Sequence, residues 1–526
     1  MTAVAIESEP RSGVASTPVA SRWRIAMIGL AALGFAMGVL VIDGAPVGVF
    51  ADDAFYVILA RSIAEGHGFR FLNLPGSPAA THFPPGYPLA LAALWRMAPA
   101  FPANLIVFKA FNAVCLAVIT LGVARFARMR LGDARLAIAA AVVTAVSMPL
   151  LILGSMLLSE LFFLALLVLL LPEIERETEG PVSRGRLVGL GAAIAVCTLV
   201  RTHGIVLIPA TVVVLLARRR WRDAAIVSGV AVACLLPWQL WSARHGGTLP
   251  AALLGQYDSY ARWWMEGYHS MGARILTLTL EKTVDESLGM FAVLFSPMRG
   301  TLAHAATLLL LAAIMALGAR AEWRRAPVTL LFLAGYLVIV LFWPGAPSRF
   351  LWGIWPLFLL LLAAGARAAL RPPIASTPVR WVAAAAAVAW LVVGYAAYEA
   401  RGFRGRWWSS IARGSTPRIE GAVQWTLGHT VAADLVAADD DGTIFLYTGR
   451  RSVPARSFTT AQYLTGRPSS PSEGLSSILD AYPVRAVVVG TAGSYEAAAS
   501  LTVPPRPRLS SGEEYPGGAA FTVLPR

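Results

Sequence analysis

Apolar stretches long enough to cross a lipid bilayer recur along most of this chain, and they limit its fold more than any other feature. Eleven stretches of roughly 15–22 residues occur near 25–42, 104–124, 135–153, 157–172, 187–200, 203–217, 224–241, 302–319, 327–343, 350–366 and 381–398. A helix satisfies all of its backbone hydrogen bonds internally, so it is the natural way for one such stretch to cross hydrocarbon. The sequence therefore predicts an all-α polytopic membrane protein with about eleven transmembrane helices.

The composition supports a membrane location. Hydrophobic residues make up 57% of the chain and charged residues 14%, whereas a soluble domain has about 25% charged residues. The formal net charge of +14 would suit a nucleic-acid-binding protein. Here, however, the arginines lie in short clusters between apolar stretches. We therefore expect the lipid bilayer as a partner and no nucleic acid.

These arginine clusters predict the orientation in the membrane, because cytoplasmic connections carry an excess of Lys and Arg. Every second connection is arginine-rich: the clusters are Arg22 and Arg24; Arg125, Arg128 and Arg130; Arg184 and Arg186; Arg218, Arg219, Arg220 and Arg222; Arg320, Arg324 and Arg325; and Arg367, Arg371 and Arg380. The pattern predicts a multi-pass protein of the cell membrane, with a cytoplasmic N-terminus and an extracytoplasmic C-terminal part.

Three regions follow from this topology. Residues 1–21 are polar and predict a disordered cytoplasmic tail, and residues 22–398 form the transmembrane domain. Within that domain the segment 187–217 is long for one helix and short for two. Arginine clusters at both ends require an even number of crossings, so we expect two short helices joined by an outer turn at 201–204. The exact number of spans there stays open.

Residues 399–526 differ from the rest, being richer in Gly, Pro, Ser and charge. A helical pattern at 419–429 precedes a strand-like segment at 435–438, and the sequence RAVVVG at 485–490 has the character of a buried strand. We expect a small extracytoplasmic α/β domain. The run Asp439, Asp440 and Asp441 resembles a metal cluster, but a turn and helix cap is the favoured interpretation.

The first outer loop, residues 43–103, contains the most suggestive carboxylates. Asp52 and Asp53 precede a helical pattern with one apolar face, which predicts an amphipathic helix on the membrane surface. Asp52 is then either a helix N-cap or a carboxylate aimed at the membrane–water boundary. The surface helix is closed by Gly66 and Gly68. The prolines Pro84, Pro85 and Pro88 keep the next helix from starting early, and residues 89–97 predict a helix too short to span.

Other ionisable residues fall at the outer ends of the predicted spans. These are His82, Glu160, Arg201, His203 and Arg349. Charged groups at membrane depth are costly and usually line a polar cavity. Each also has a structural interpretation, since Glu160 could cap a helix and the arginines could extend to the interface. Their convergence on one face favours a shared site.

The ordered set of motifs resembles the GT-C membrane glycosyltransferases, in particular the family that includes protein O-mannosyltransferases and the lipid A aminoarabinose transferase. The resemblance covers nearly the whole chain in layout and rests on five segments: Asp52-Asp53, Leu158-Ser159-Glu160-Leu161, Leu199-Val200-Arg201-Thr202-His203-Gly204, Pro347-Ser348-Arg349-Phe350-Leu351 and Tyr447-Thr448-Gly449-Arg450. One departure is clear: the aminoarabinose branch has Lys directly before Pro-Pro, where this chain has Phe83, with His82 one residue earlier.

The resemblance implies an enzyme that moves a sugar from a polyprenyl-phosphate donor to a hydroxyl acceptor on the extracytoplasmic face, with inversion at the anomeric carbon. It implies catalysis by Asp52, with Asp53 as its partner. Arg matches phosphate with a bidentate fork, so Arg201, Arg349 and, more weakly, Arg274 are the candidates for the donor phosphate.

A second group of residues is assigned to the acceptor or to a divalent metal: Tyr56, His82, Glu160 and His203. Nothing in their spacing requires a metal, so a divalent ion is only a candidate cofactor. The sugar, the oligomeric state and the nature of the acceptor, whether lipid, protein or polysaccharide, are not determined by the sequence.

Two other functions remain open at this level. A transporter or flippase would place acids near mid-membrane and often contains inverted repeats, and no repeat is visible here. A non-catalytic scaffold for envelope assembly would tolerate the loss of both Asp52 and Asp53.

Overall fold

A computed structural model describes residues 18–50, 52–457, 459–465 and 471–525. The predicted tail at 1–21 therefore lies mostly outside the described residues. The helices before residue 406 are α1 (Pro18–Leu40), α2 (Asp52–Ala64), α3 (Gly86–Met97), α4 (Leu105–Leu131), α5 (Ala134–Ala145), α6 (Met148–Gly154), α7 (Ser159–Glu179), α8 (Arg184–Val200), α9 (Leu207–Ala217), α10 (Trp221–His245), α11 (Leu254–Tyr257), α12 (Tyr260–Met271), α13 (Arg274–Phe295), α14 (Thr301–Glu322), α15 (Pro327–Leu341), α16 (Pro347–Trp352), α17 (Trp355–Ala369) and α18 (Pro378–Gly405).

The remaining elements are α19 (Ser410–His429), β1 (Leu435–Ala438), α20 (Asp441–Thr448), β2 (Ser452–Pro454), α21 (Thr460–Thr465), α22 (Pro471–Ala481), β3 (Val484–Val489), α23 (Ala492–Ser500), β4 (Glu513–Tyr515) and β5 (Gly518–Thr522). Short 3-10 turns cover Thr202–Val206, Ala251–Leu253 and Trp407–Ser409.

Every apolar stretch seen in the sequence is largely helical, which confirms the mostly helical architecture. In the described part, five helices are long and apolar enough to cross a membrane: α1, α4, α10, α14 and α18. The pair α5 and α6, bent by 48°, would be a sixth. Other apolar helices are short: α15 has 15 residues, which at about 1.5 Å per residue is less than the hydrocarbon thickness. The expected total of about eleven crossings therefore stays a prediction.

Small residues set the closest helix contacts in the membrane domain. A Cβ added to Gly38 of α1 would collide with Ala113 of α4, and one added to Gly365 of α17 would collide with the Ile314 carbonyl of α14. Glycine lets helix backbones approach closely, which is how helices in lipid gain packing contacts. These pairs bring α1 against α4 and α14 against α17.

Helix α2 differs from the amphipathic surface helix expected from its sequence. Residues 53–60 and Ser62 are all buried, with Val57, Ile58 and Leu59 showing no exposed surface. Helix α20 of the C-terminal part packs against α2: a Cβ on Gly442 would lie 3.1 Å from the Phe55 ring, and the Arg61 guanidinium lies 5.7 Å from the centre of the Phe445 ring. The sequence pattern shows which residues are apolar, but it does not show that a distant segment packs against the helix.

The long segment between α10 and α14 is helical over most of its length. It contains α11, α12 and the 22-residue helix α13. Thr460 of α21 donates a hydrogen bond to the Trp263 carbonyl of α12 at 2.7 Å. This loop is therefore a contact surface between the membrane domain and the C-terminal part.

The C-terminal part folds around one five-stranded sheet with the strand order β2-β1-β3-β5-β4. Strand β1 pairs in parallel with β2 and β3, whereas β5 runs antiparallel to β3 and β4. The expected strands at 435–438 and 485–490 correspond to β1 and β3, displaced by one residue in the latter. Asp439 accepts hydrogen bonds from the backbone N–H groups of Gly490 and Thr491, each at 2.9 Å. The acidic run lies between β1 and α20, as the turn interpretation predicts, but the side chain of Asp440, directly before α20, makes no capping hydrogen bond among the described residues.

A buried polar junction joins the C-terminal part to the segments that contain Asn73 and Tyr257. Asp441, at the start of α20, accepts hydrogen bonds from the Tyr257 hydroxyl and, at 3.4 Å, from the Asn73 amide. The Asn73 amide also donates to the Tyr257 hydroxyl at 2.6 Å. Burial raises the pKa of Asp441 to about 7. The three residues come from three separate segments, so this junction fixes their relative positions.

The raised pKa predicts pH-dependent stability. The Asp441 carboxyl takes up a proton on folding between its ordinary pKa of 3.8 and about 7, so its contribution to stability is lost as pH rises through 7. Asp441→Asn should be more stable than the parent at pH 8 by about 1 kcal/mol or more, and the difference should shrink towards pH 4. Unfolding in detergent at several pH values measures this. Asp285→Asn, at an exposed position, should show no such pH trend; an equal trend in both variants would contradict the assignment.

The predicted topology is testable by labelling. In a background without the three cysteines, His67→Cys should react with a membrane-impermeant maleimide in intact cells, because His67 is exposed in the first outer loop. Ser183→Cys, exposed between α7 and α8, should react only after the membrane is opened. The reverse pattern would show that the assigned orientation is wrong.

Candidate active site

Adjacent acids at the start of α2 have different surroundings. Asp53 is 4% exposed, and its Oδ1 accepts hydrogen bonds from the backbone N–H groups of Gly48 at 3.0 Å and Ala54 at 2.8 Å. Burial raises the pKa of Asp53 to about 6. Gly48 has a φ of +108°, a conformation suited to glycine. Asp53 thus anchors the turn that leads into α2, while the Asp52 side chain faces open space.

Asp52 is held by an arginine from a distant segment. The Arg349 Nη1 lies 2.6 Å from the Asp52 Oδ2. Within the described residues no hydrogen bond engages the other carboxylate oxygen of Asp52. Its side chain is 28% exposed, so one oxygen is fixed by an ion pair and the other is open to a ligand.

The ion pair continues into a buried network. The Arg349 Nε donates to Glu160 at the start of α7, and the Arg201 Nη1 lies 3.1 Å from the same Glu160 oxygen. Glu160 has no exposed surface and Arg201 is 7% exposed. A buried carboxylate needs partners of opposite charge, and here two arginines supply them. Two acids and two arginines together make a cluster with no net charge.

Neutral hydroxyls extend this cluster towards α2. The Arg201 Nη1 donates to the Ser159 Oγ at 3.1 Å, and that oxygen lies 3.3 Å from the Tyr56 hydroxyl. Tyr56 follows Asp52 by one helical turn, so both side chains belong to the same side of α2. Asp52, Tyr56, Glu160, Arg201 and Arg349 are therefore brought together as the sequence predicted.

The two candidate histidines lie nearby in different environments. His82 is buried, its Nδ1 lies 2.5 Å from the Asp258 carbonyl, and burial lowers its pKa. This contact assigns the proton to Nδ1. His203 is buried between the rings of Tyr336 and Phe350, at centroid distances of 4.8 and 5.3 Å. Neither ring nitrogen of His203 has a hydrogen-bond partner among the described residues.

Two cavities meet at the Asp52–Arg349 pair. The domain-side cavity, of about 460 Å³, is lined by membrane-domain residues and by Ile411, Arg456 and Tyr463 from after α18. The membrane-side cavity, of about 320 Å³, is lined by Tyr56, Arg201, His203 and by Trp238 and Ile339 of the helices α10 and α15. Six residues border both cavities: Asp52, His82, Tyr260, Trp343, Arg349 and Phe350. Two ligands, one bound in each cavity, would therefore contact each other beside Asp52.

One sequence-predicted residue lies apart from this cluster. Arg274 is exposed at the start of α13 and lines neither cavity. Sequence reasoning also missed residues that do line the domain-side cavity, including Gln256, Trp343, Arg456 and Tyr463. The Trp-Pro-Gly-Ala-Pro segment before Ser348 was a signal for Trp343, because its prolines and glycine end the helical run at the C-terminal end of α15. Nothing local marks Arg456, which is placed by the C-terminal sheet.

The residues present do not fit a metal centre built on Glu160, His82 and His203. Glu160 is occupied by two arginines, and the His82 Nδ1 by a backbone carbonyl. In residues 18–50, 52–457, 459–465 and 471–525, no group of three His, Cys, Asp or Glu side chains is arranged to hold an ion.

Comparison with known proteins gives the fold a name. No family model and no curated protein sequence matches the chain. The crystal structure of ArnT from Cupriavidus metallidurans bound to undecaprenyl phosphate is similar, with a TM-score of 0.56 at 14% identity, covering 96% of this chain and 100% of that one. The Archaeoglobus fulgidus oligosaccharyltransferase in complex with Zn and sulfate gives a TM-score of 0.57 at 15% identity, covering 90% and 69%.

A second structure of the archaeal enzyme, AglB with an inhibitory peptide and a dolichol-phosphate, gives a TM-score of 0.55 at 14% identity, covering 92% and 71%. ArnT is the lipid A aminoarabinose transferase, and it and AglB are glycosyltransferases of the GT-C fold. The chain shares the GT-C fold with these membrane glycosyltransferases.

Proposed function

We propose that this protein is an inverting glycosyltransferase that moves a sugar from a polyprenyl-phosphate donor to a hydroxyl acceptor at the extracytoplasmic membrane surface. The observation that carries the proposal is the position of Asp52. Its carboxylate is fixed by Arg349 on one oxygen, open on the other, and stands where two cavities meet. Structures with this fold contain undecaprenyl phosphate in ArnT and a dolichol-phosphate in AglB.

The membrane-side cavity suits the donor. It lies beside Arg201 and Arg349, and α10 and α15 contribute Trp238 and Ile339 to its wall. Neighbouring apolar residues on these helices, Leu240 and Val338, are 45% and 54% exposed, as expected for side chains that contact lipid. A polyprenyl chain gains about 0.8 kcal/mol per buried methylene. It therefore stays in the bilayer while its phosphate reaches the arginines.

The domain-side cavity suits the acceptor, because the extramembranous C-terminal part forms one of its walls. An acceptor hydroxyl entering there reaches the open oxygen of Asp52. Asp52 takes the hydroxyl proton as a general base, and the acceptor oxygen forms a bond to the anomeric carbon through an oxocarbenium-like state. The bond from that carbon to the phosphate oxygen breaks, and its electron pair leaves with the phosphate. A single displacement inverts the anomeric configuration.

The arginines act on the leaving group. A polyprenyl phosphate is a weak base, so it needs positive charge more than a proton. Arg201 and Arg349 provide planar donors that match phosphate oxygens. Glu160 holds both guanidinium groups in place before the donor arrives, so little reorganisation is needed when negative charge develops on the phosphate.

Asp52→Asn tests the general base. We expect the rate of sugar transfer to fall by about 10²–10⁴-fold, because the amide cannot take the proton. Transfer from a radiolabelled polyprenyl-phosphate sugar pool in membranes measures it, and the thermal unfolding of the purified variant checks folding. Asp285→Asn, the exposed matched variant, should retain the parent rate. A normal rate in Asp52→Asn with intact folding would overturn the proposed role.

Arg201→Lys tests the phosphate contact while keeping the positive charge beside Glu160. We expect weaker donor use, seen as a lower kcat/KM for the donor by about 10-fold or more, because a lysine lacks the bidentate fork. Arg274→Lys is the matched control at an exposed position and should leave kcat/KM unchanged. If Arg274→Lys weakens donor use and Arg201→Lys does not, the phosphate site has been assigned to the wrong arginine.

A further inference from the structure

The C-terminal part contributes a cation to the domain-side cavity. Arg456 follows β2 and lies on the cavity wall. It makes no hydrogen bond or ion pair with another residue in the described part of the chain. Asp440, on which the Arg456 charge has only a minor effect, is already paired with Arg418 at 2.7 Å. Arg456 is exposed and therefore available to a ligand.

The side chains that line this cavity consequently have a net positive charge. Asp52 and Arg349 compensate each other as an ion pair. His82 is kept neutral by its burial, which lowers its pKa. Arg456 is then the uncompensated charge among the described side chains that line the cavity.

Two further features suit a sugar ring. The buried amide oxygen of Gln256 has no hydrogen-bond partner among the described residues and belongs to the cavity wall. Aromatic rings form a continuous surface beside it: Trp263 and Trp343 have centroids 5.6 Å apart, and Tyr260 lies 5.0 Å from Trp343. Aromatic faces provide flat apolar contact, and an amide provides a hydrogen bond to a hydroxyl.

We propose that the acceptor is an anionic carbohydrate, with its carboxylate or phosphate bound by Arg456 and its ring held by the aromatic surface and Gln256. Calling the bound molecule an acceptor rests on the proposed function. The binding site itself follows from the cavity and its charge. The C-terminal domain would then select the acceptor, while the membrane domain binds the donor and performs the transfer.

Binding measurements on the full-length protein in phosphatidylcholine nanodiscs test the site without requiring transfer. The probes are methyl glucoside, methyl glucuronide and methyl glucoside 6-phosphate, followed by tryptophan fluorescence because Trp263 and Trp343 line the cavity. We expect at least one anionic probe to bind about 10-fold tighter than the neutral glucoside, as a charge-assisted hydrogen bond would give. The tighter of the two anionic probes identifies whether the group is a carboxylate or a phosphate.

Arg456→Gln should abolish this preference, and Arg456→Lys should keep part of it. Arg451→Gln, an exposed matched variant in the same domain, should leave it unchanged. Equal or absent binding of all three probes, or a preference that survives Arg456→Gln, would overturn the proposal. A competition experiment with undecaprenyl phosphate gives a further check. The proposal would be overturned if this lipid displaced the anionic probe from the parent protein through Arg456, since the cavity would then bind the donor.

The two proposals fail in different ways. If the preference for anionic probes depends on Arg456 but Asp52→Asn transfers sugar at the parent rate, the binding site is supported and the catalytic role of Asp52 is contradicted. If Asp52→Asn is inactive and the protein binds the anionic and neutral probes equally, the proposed reaction is supported and the anionic acceptor is contradicted.

Discussion

The buried carboxylate of Glu160 is the constraint on which the site depends. It has no exposed surface, and an isolated charge there would be strongly unfavourable. Arg201 from the end of α8 and Arg349 from α16 both contact it. These residues are separated by long stretches of sequence, so the need to compensate one carboxylate draws three helix ends together. Asp52 is then fixed through Arg349.

This arrangement explains why adjacent acids behave differently. Asp53 is turned into the protein, where backbone N–H groups of Gly48 and Ala54 satisfy it. Asp52, one residue earlier on the same helix, faces the junction of the cavities. A rigid anchor beside a reactive group reduces the freedom that must be lost when a substrate binds. In the proposed reaction Asp53 therefore positions Asp52 and does not itself touch substrate.

The segments after α2 and α10 and the C-terminal part together surround the domain-side cavity. Asp441, Tyr257 and Asn73 connect α20 with the loops that follow α10 and precede α3. The same part of the chain supplies Arg456 and Tyr463 to the domain-side cavity. A part that appears in the sequence as an appended unit thus completes a cavity wall, and under the proposed function this wall would let acceptor choice vary while the membrane domain is retained.

The sequence by itself determined the helical membrane architecture, the small terminal α/β part and most of the polar cluster, because long apolar stretches and ionisable groups at their ends are expensive to place anywhere else in a bilayer. It did not show that α2 is buried, that Arg274 lies away from the cluster, or that Arg456 and Gln256 reach the cavity. Those facts depend on contacts between segments hundreds of residues apart, such as α2 with α20. A local sequence pattern shows which residues are unfavourable to expose to water or to lipid. Only the tertiary structure decides which distant segment covers each of them.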